Sequence, residues 1–531
     1  MRPSPQVLAQ LLLLSPLLGA ILVWLPKWWP YVRPPRGRLP EERASRFQDY
    51  ATIGTSLVSL GLIVVIASIS REALRFHVWI VGFYVDALSI YFVLLVNFVA
   101  LVASFYVGPC LARRAGKGAL DRTLFYSLFN LFHFTMVLVP MVSNLVVLWI
   151  GIELTTVTST VLVAFERRRQ DIEAAWKYII TTSTGIIFAL LGTLFLASAI
   201  PLGAHPHPSM NWPDLVQVGD LDKDLIRLSF LFVLVGYGTK AGLAPMHTWL
   251  PDGHGEAPYP VSALLSGVLL KSALYAILRF YTITNHALDD DRLFTSHLLL
   301  GAGLLSLVVA TPFILKRNPF KRVLAYHSLE HMGIITFGIG IGGPIALFGA
   351  LLHVLNHGIT KSLMFLAYGN VQDNYPSSGE AEPIGLASRP EDPQRGVLQA
   401  MPWTGFLLAL GGLALVGSPP FNIFLSEFVI LWGAVGKVLA QPTLWLTASI
   451  VIFVLSVTLI FGGLVRHLGR ILVGSPPDRF EKETLRQVAP LLALLVVVVL
   501  FGMIVPAFGP LDMRRLLDDS VVIVCGGGGC P

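Results

Sequence analysis

Long apolar stretches alternate with short polar segments along almost the whole chain. A transmembrane helix needs about 20 consecutive apolar residues to cross the hydrocarbon core, and this length divides the chain into about fourteen candidate spans. Their approximate limits are 7–26, 50–70, 84–107, 123–141, 143–165, 174–199, 225–250, 258–285, 293–315, 322–341, 344–369, 400–436, 443–465 and 487–508. The pattern therefore predicts an all-α polytopic membrane protein.

Glycine and proline interrupt two of these spans. Span seven contains the run Gly236–Pro245, and span twelve contains Gly417–Pro420. Because proline removes a helix hydrogen bond and glycine loosens the backbone, both helices are expected to open inside the membrane, at Pro245 and at Pro419 and Pro420. Kinked helices are common in membrane bundles, so either break taken alone has an equally good structural explanation.

The two breaks divide the chain into matching units. We predict N-terminal helices in 1–122, a first five-helix repeat in 123–285, a second in 293–465, and a last helix with a flexible tail in 466–531. Each break falls in the fourth helix of its unit. Since five is odd, the second unit would enter the membrane from the opposite side, which gives the inverted repeat of many transporters.

Composition and charge agree with a membrane protein. Only 13% of the residues are charged and 54% are hydrophobic, whereas a soluble domain has roughly 25% charged residues. Lys and Arg concentrate in the loops after odd-numbered spans, which the positive-inside rule places in the cytoplasm. Both termini are therefore predicted to lie outside the cytoplasm of a bacterial-type inner membrane. The scattered basic residues form no continuous face for nucleic acid.

Cofactor chemistry is not expected within the chain. The cysteines are too few to build a zinc or iron–sulfur site unaided; they are Cys110, Cys525 and Cys530. His247, Asp252, His254 and Glu256 have the residue types of a metal site, but they lie at a span end without a fixed tetrahedral spacing. We therefore predict no metal, no cofactor and no free-standing enzymatic activity.

Ionisable side chains lie inside six of the spans, where a charge costs at least ~2.5–3.5 kcal/mol on insertion scales. The candidates are Glu153, Lys240, Lys271, His327, His331, His353, His357, Lys361 and Glu427. The spacing of His353, His357 and Lys361 is i, i+4, i+8, which makes a ladder with steps of about 6 Å on one helix face. One or two waters between neighbours would let protons pass, and histidine has an unperturbed pKa near neutrality.

Structural roles compete with this interpretation. A lone histidine in a membrane helix is more often a packing residue, and a single buried Lys–Glu pair can be structural. The recurrence of such groups in six spans, without cysteine ligands nearby, favours a path for protons or other cations.

Three segments resemble a known family. Lys240–Gly267, KAGLAPMHTWLPDGHGEAPYPVSALLSG, is similar to the signature of the antiporter-like subunits shared by respiratory complex I, Mrp-type sodium/proton antiporters and membrane-bound group 4 hydrogenases. Ala325–Gly333 (AYHSLEHMG) and His353–Asn370 (HVLNHGITKSLMFLAYGN) are further matches. The family usually has alanine or serine where this chain has Gly253 and Gly255. The SLEHMG and SALLSGVLLK forms are most similar to the hydrogenase-4 component F branch.

The resemblance implies roles for several of the ionisable residues. It implies a fold of fourteen core helices with two inverted five-helix repeats, in which Glu153 is paired with Lys240. It further implies that Lys271 is the central lysine of span eight. His331 and the span-eleven group then lie on a central hydrophilic axis, and Glu427 is the terminal residue of that axis.

The resemblance covers roughly residues 80–470 and implies a proton-translocating subunit of a complex-I-like oxidoreductase or membrane-bound hydrogenase complex. Protons would enter near the Glu153–Lys240 pair, pass Lys271 and the histidines, and leave near Glu427. The expected partners are other membrane and redox subunits, which supply the energy, and the lipid bilayer. The alternatives are an Mrp-type cation/proton antiporter subunit and a non-pumping membrane scaffold for a partner enzyme.

Overall fold

The computed structural model describes residues 4–32, 41–114, 121–201, 209–289, 291, 293–375, 395–477, 480–504 and 512–526. In the N-terminal part the helices are α1 Pro5–Leu22, α2 Leu25–Val32, α3 Glu41–Ile69, α4 Ala87–Arg114, α5 Arg122–Leu138, α6 Leu145–Val163, α7 Arg169–Ser198, α8 Trp212–Leu215, α9 Lys223–Ala241, α10 Trp249–Glu256 and α11 Tyr259–Leu264. A π-helical turn, Leu265–Leu269, follows α11. The helices after it are α12 Leu270–Ala287, α13 Leu293–Leu315, α14 Phe320–Ile341, α15 Gly343–Asn374, α16 Val397–Ala400, α17 Pro402–Leu415, α18 Asn422–Ala440, α19 Leu444–Leu472, α20 Leu485–Met503 and α21 Met513–Val524.

The fold is that of a mostly helical, multi-pass membrane protein, as predicted. Within the described residues, ten helical segments are long and apolar enough to cross a membrane. They differ in how much protein surrounds them. The segment Tyr259–Ala287 is buried on all sides, whereas Arg43–Ile69 and Leu444–Leu472 present much of their apolar surface to the outside. The segments of the second kind lie at the periphery of the bundle, and the first lies in its middle.

The prediction of an all-α protein is wrong at residues 74–85. Strands β1 Leu74–Val78 and β2 Val81–Val85 pair as an antiparallel hairpin between α3 and α4. The rings of Phe76 and Phe83 stack across it with their centroids 5.0 Å apart. A search for runs of about 20 apolar residues cannot detect a strand of this length, although its β-branched and aromatic residues favour one.

Helix α9 stops where the glycine and proline run predicted a break. Gly242 adopts the left-handed conformation with φ 76°, which is the usual way of ending a helix at a glycine. The indole nitrogen of Trp249, the first residue of α10, donates to the carbonyl of Thr239 at 2.9 Å. This bond satisfies one of the carbonyl groups that the end of α9 leaves without a helical partner. Pro245 lies between the two helices.

A second break of the same kind separates α17 from α18. Gly417 is left-handed with φ 68°, and the amide of Ser418 donates to the carbonyl of Leu413 at 3.0 Å. Pro419 and Pro420 follow before α18 begins. As at the end of α9, a glycine beyond the last helical turn lets the chain change direction, and the prolines cannot continue the helix.

Glycines allow two helix pairs to approach closely. A side chain at Gly236 of α9 would collide with the backbone of Ala189 in α7. A β-carbon at Gly303 of α13 would lie 2.6 Å from the amide nitrogen of Phe337 in α14. Small residues at such contacts are typical of membrane helices, because packing replaces the hydrophobic effect as the driving force.

The segment after α20 is not simply a tail. Residues 513–524 form α21, whose first turn is capped by Asp512 accepting from the amide of Arg515 at 3.0 Å. Helix α21 packs on α4, α12 and α15. The sequence analysis did not predict this helix, because it is shorter than the length needed to cross a membrane. Residues 527–531 lie outside the described residues.

Candidate functional site

Lys240 is fully buried one residue before the end of α9. Its ammonium group donates to the hydroxyl of Thr156 at 2.6 Å and to the hydroxyl of Tyr178 at 2.8 Å. Thr156 donates in turn to one carboxylate oxygen of Glu153 at 3.4 Å, and Ser183 donates to the other at 2.7 Å. The predicted Glu153–Lys240 pair is thus brought together, but Thr156 lies between the two charges. We call these five residues the hydroxyl site.

The position of the hydroxyl site follows from three helices. Glu153 and Thr156 are three residues apart on α6, so they share one helix face. Tyr178 of α7 presents both its hydroxyl and its ring to Lys240, whose nitrogen lies 4.9 Å from the ring centroid. The Tyr178 hydroxyl also shares a hydrogen bond of 2.8 Å with Ser159. A buried ammonium group thereby gains hydroxyl and cation–π partners without a direct ion pair.

Lys271 lies two residues beyond the π-helical turn and is buried. Its ammonium group donates to the backbone carbonyl of Ser266, five residues earlier. The hydroxyl of Ser266 shares a hydrogen bond of 2.7 Å with that of Ser328 in α14. A π-helical turn is uncommon and occurs mostly at functional positions. Here the π-helical turn contains Ser266, whose carbonyl accepts from Lys271 and whose hydroxyl connects this segment to Ser328 of α14.

Two hydrogen-bonded groups that contain imidazoles lie on α14, α15 and α18. His327 shares a hydrogen bond of 2.6 Å with the carboxylate of Glu330, one turn further along α14. His331 shares one of 3.0 Å with His353, and the other nitrogen of His353 shares one of 3.0 Å with the hydroxyl of Ser426. The four ionisable residues of these two groups are all buried. Each imidazole can donate at one nitrogen and accept at the other, as proton transfer along a chain requires.

His357 and Lys361 continue the ladder of α15. The ring of His357 lies 4.7 Å from that of His331, and within the described residues both of its buried nitrogens are without a hydrogen-bond partner. The ammonium group of Lys361 donates to the backbone carbonyl of Leu324 in α14. The ladder predicted from the spacing therefore faces α14 and its histidines.

Glu427 lies at the far end of this group, in the first half of α18 and 8% exposed. One of its carboxylate oxygens lies within 4.8 Å of nitrogens of His331 and His353. A side chain at Gly417 would collide with this carboxylate. The break before α18 thus provides the space that the carboxylate occupies. We call His327, Glu330, His331, His353, His357 and Glu427 the histidine cluster.

Residues 142–456 match the family described as NADH:quinone oxidoreductase/Mrp antiporter, TM. The match spans more than half of the chain, and both the hydroxyl site and the histidine cluster lie inside it. The chain belongs to this family. Its family membership agrees with the resemblance carried by the three sequence segments.

Individual relatives and structures are similar to this chain over most of its length. The hydrogenase-4 component F homolog of Methylacidiphilum infernorum (isolate V4) is 39% identical over 363 residues, which cover 67% of this chain and 73% of that protein. A chain of the membrane-bound sulfane sulfur reductase, an archaeal respiratory membrane complex, superposes with a TM-score of 0.79 at 21% identity, covering 98% of both chains. A chain of respiratory complex I from Thermus thermophilus gives 0.74 at 20% identity, covering 97% of this chain and 99% of that one. These two structures share the fold.

Glu330 is a member of the histidine cluster that the sequence analysis missed. It lies in the SLEHMG segment, between the two histidines spaced i, i+4 that were predicted to belong to the proton path. The signal was available, since a glutamate in a membrane helix is costly unless it is paired. The structure pairs it with His327 and buries it almost completely, at 3% exposure.

The structure does not gather the four residues with metal-ligand types that follow α9. Asp252 contacts Arg322 and lies 3.2 Å from Lys177, so its charge is neutralised by cations. Within the described residues, possible ligand atoms approach within 4.8 Å of one another in two groups of the histidine cluster, His327–Glu330–His331 and His331–His353–Glu427. The hydrogen bonds already formed inside these groups suit proton transfer.

Proposed function

We propose that this chain is the proton-translocating subunit of a complex-I-like oxidoreductase or membrane-bound hydrogenase-type complex. The observation that carries the proposal is the line of buried ionisable groups from the hydroxyl site through Lys271 to the histidine cluster. Such groups are costly inside a membrane and mark ion pathways. Family membership and the similarity to a hydrogenase-4 component F homolog support the same conclusion.

The proposed path uses each kind of group for a different step. Protons enter at Glu153 and Lys240, where Thr156 can pass a proton between the two because a hydroxyl both donates and accepts. Lys271 receives them in the middle of the bundle. The hydrogen bond between Ser266 and Ser328 lies between Lys271 and the histidine cluster, and Glu427 is the last group before release. Partner subunits supply the energy, because this chain is predicted to have no redox centre.

We also propose the finer topology of fourteen spans in two inverted five-helix repeats. Besides the ten apolar segments, the proposed spans are α5, α9, α14 and α15, which are shorter or more polar. Contacts between loops support the alternation. Loops after odd-numbered spans meet through Lys27–Asp121 at 2.7 Å and Arg113–Glu481 at 2.8 Å. Loops after even-numbered spans meet through the amide of Ser143, which donates to the carbonyl of Gly82 at 3.2 Å, and that of Leu145, which donates to Met210 at 2.9 Å.

The orientation follows from the charges of these two sets of loops. The basic loops after odd-numbered spans are cytoplasmic under the positive-inside rule, so both termini and the β-hairpin lie on the opposite face of a bacterial-type inner membrane. We call the face with the β-hairpin the hairpin face.

The direct test is Lys240→Ala in the assembled complex. Proton uptake into inverted membrane vesicles should fall to the background of the assay, because the hydroxyl site loses the group that exchanges the proton. Lys437→Ala is a matched control. Lys437 is half-buried and donates to the carbonyl of Ile341 at 2.6 Å, but it lies outside the path, so its loss should leave proton uptake unchanged. Undiminished pumping by Lys240→Ala at normal turnover would contradict the proposal.

An Mrp-type antiporter subunit is the second candidate, because the family includes Mrp antiporters. Sodium-dependent proton flux in the same vesicles would favour it, and sodium-independent flux would favour the first proposal. A non-pumping scaffold is a third possibility. The triple variant Glu153→Gln, Lys240→Ala, Lys361→Ala separates it, since a scaffold would leave the proton flux unaffected.

A further inference from the structure

A buried ion pair lies outside the path described so far. The guanidinium group of Arg279 in α12 donates to both carboxylate oxygens of Asp86, at 2.9 and 2.6 Å. The side chain of Arg279 is 0% exposed and that of Asp86 is 7% exposed. The guanidinium also lies over the ring of Trp212, 3.8 Å from its centroid. Bidentate geometry of this kind offsets much of the cost of burying two charges, and the path described so far gives the pair no role.

Asp86 also lies at the edge of an open cleft. The cleft, of about 840 Å³, is lined by Asp86, by Arg75 of the hairpin, by Trp212 and by residues of α21. The charged residues of the cleft wall are Arg71, Glu72, Arg75, Asp512, Arg515 and Asp519. Because cations and anions alternate there, the cleft has no strong preference for an anionic or cationic ligand. The cleft opens on one side of the carboxylate, and Arg279 occupies the other.

A polar stripe on α12 connects this pair with the path. Lys271, Tyr275 and Arg279 are spaced i, i+4, i+8 and are all buried, which is the spacing of the ladder on α15. The hydroxyl of Tyr275 shares a hydrogen bond of 3.1 Å with Ser89, and Ser89 accepts from Arg279 at 3.1 Å. Each step of the stripe is about 6 Å, which one water can bridge.

We infer that a branch of the path leads from Lys271 to the Asp86–Arg279 pair, which exchanges protons with water on the hairpin face in addition to release near Glu427. The inference rests on the proposed function.

The Lys271 ammonium loses a proton, which passes through a bridging water to the hydroxyl of Tyr275 and on to that of Ser89. A second water carries it to the Asp86 carboxylate, which accepts from the backbone amide of Ser89 at 2.9 Å. An O–H bond forms at Asp86 and breaks again when the proton leaves to water in the cleft. The positive charge of Arg279 stabilises the buried Asp86 carboxylate when it is deprotonated. No electrons are transferred.

Tyr275→Phe tests the connection with the smallest change. It removes one hydroxyl and keeps the ring, so the assembled complex should form normally while proton uptake into vesicles falls at least tenfold. Tyr106→Phe is the matched control, because Tyr106 is equally buried and donates to the carbonyl of Gln487 at 2.6 Å but is remote from the stripe. Equal pumping by the two variants would overturn the inference.

The ion pair itself needs a test that separates exchange from structural support. Asp86→Asn should reduce pumping at least tenfold, as Tyr275→Phe does, and Asp86→Glu should restore much of it. The double variant Asp86→Asn, Arg279→Gln removes both charges together, so it should assemble at the level of the parent and still pump as poorly as Asp86→Asn. If the double variant pumps like the parent, the pair is only structural.

The cleft can be tested from each side of the membrane. Gln217 is exposed and lines the cleft, so Gln217→Cys should react with a bulky, membrane-impermeant thiol reagent added at the hairpin face. The adduct should reduce pumping several-fold, whereas reagent added at the other face should have no effect. The parent chain treated identically controls for its own cysteines. A fully labelled protein that pumps normally would exclude the cleft as the route.

Failure of this inference is distinguishable from failure of the proposed function. If Lys240→Ala pumps like the parent, the translocation path itself is refuted. If Lys240→Ala is inactive but Tyr275→Phe and Asp86→Asn pump normally, only the exchange site is refuted.

Discussion

The hydroxyl site and the histidine cluster both contain glutamate, but the ionisable partner is a lysine in the first and a set of imidazoles in the second. In the hydroxyl site, Glu153 is partly exposed, and its neighbour Leu154 is 40% exposed on the outer face of α6. In the histidine cluster, His327, His331, His353 and His357 are all 0% exposed. The first site reaches the surface of the helix bundle at Glu153, although Lys240 is fully buried, and the histidines of the second lie inside the bundle.

The difference shows two ways of keeping ionisable groups in a membrane. Near the surface, threonine, serine and tyrosine hydroxyls solvate one ammonium and one carboxylate that do not touch. In the interior, imidazoles predominate, and these can be neutral, so many ionisable groups are buried without the desolvation cost of as many charges. If both sites belong to one path, removing an ionisable side chain should have the larger effect in the interior. Water cannot reach the interior to replace the lost group in proton transfer.

The largest effect is expected from Lys361→Met, which removes the ammonium group beside the histidine cluster. Pumping should fall about a hundredfold, at the low end of the effect of removing a proton-transferring side chain. It should therefore reach the background of the vesicle assay. Lys437→Met, which also removes a lysine bound to a backbone carbonyl, should pump normally. Residual pumping above a tenth of the parent rate would show that the interior path has a parallel branch.

The two glutamates provide the sharpest comparison between the sites. Glu330→Gln should reduce pumping about tenfold more than Glu153→Gln, because it removes the charge from a buried hydrogen bond to His327, and a hydrogen bond to a charged group contributes about 1.5–3 kcal/mol. Glu153 keeps hydroxyl partners that an amide can also use. Both rates are measured per assembled complex, quantified by immunoblot of the purified membranes. The reverse order of effects would mean that the surface site limits the flux.

Thr156→Val tests the hydroxyl between Glu153 and Lys240. The substitution keeps the shape of the side chain but leaves a buried ammonium with one partner fewer, at a cost of about 1–3 kcal/mol. We expect a severalfold to tenfold loss of pumping, measured in the same vesicles. Thr156→Ser retains the hydroxyl and should pump near the parent rate. Equal rates for valine and serine would remove this hydroxyl from the path.

The smallest effect is expected at the start of α9, away from either site. Asp222 caps this helix by accepting from the amides of Asp224 and Leu225, both at 3.0 Å. Asp222→Ala should destabilise the folded protein by about 1 kcal/mol, as for other helix N-caps. Thermal unfolding in detergent measures this, with the exposed neighbour Asp220→Ala as control. Pumping per assembled complex should stay unchanged, and a loss would mean that the start of α9 takes part in transport.

Local features of the fold could be predicted because they depend on one segment at a time. The apolar length of a helix, the breaks after Ala241 and after Leu415, and the depth of Lys240 and Lys361 within their helices all follow from neighbouring residues. Two local features were nevertheless missed, the β-hairpin and α21. Both are shorter than a membrane span, so a search for apolar runs of about 20 residues does not detect them.

Contacts between helices could not be predicted in the same way. Successive side chains of a helix point about 100° apart around its axis. A small error in the rotation of a helix therefore changes which groups on neighbouring helices meet. The partnership of His331 with His353 and the position of Thr156 between Glu153 and Lys240 depend on such rotations. The Asp86–Arg279 pair joins residues 193 positions apart, and neither helix alone indicates it.

The sequence by itself determined that this protein crosses the membrane many times, that two of its helices are broken, and that ionisable groups lie within its spans. These properties follow from hydrophobicity and from the backbone chemistry of glycine and proline, which act locally. Only the tertiary structure decided which of those groups touch. It placed a hydroxyl between Lys240 and Glu153, added Glu330 to the histidines, and brought Asp86 to Arg279 beside a cleft. Hydrogen bonds require partners within about 3 Å, and only the packing of helices distant in sequence sets that distance.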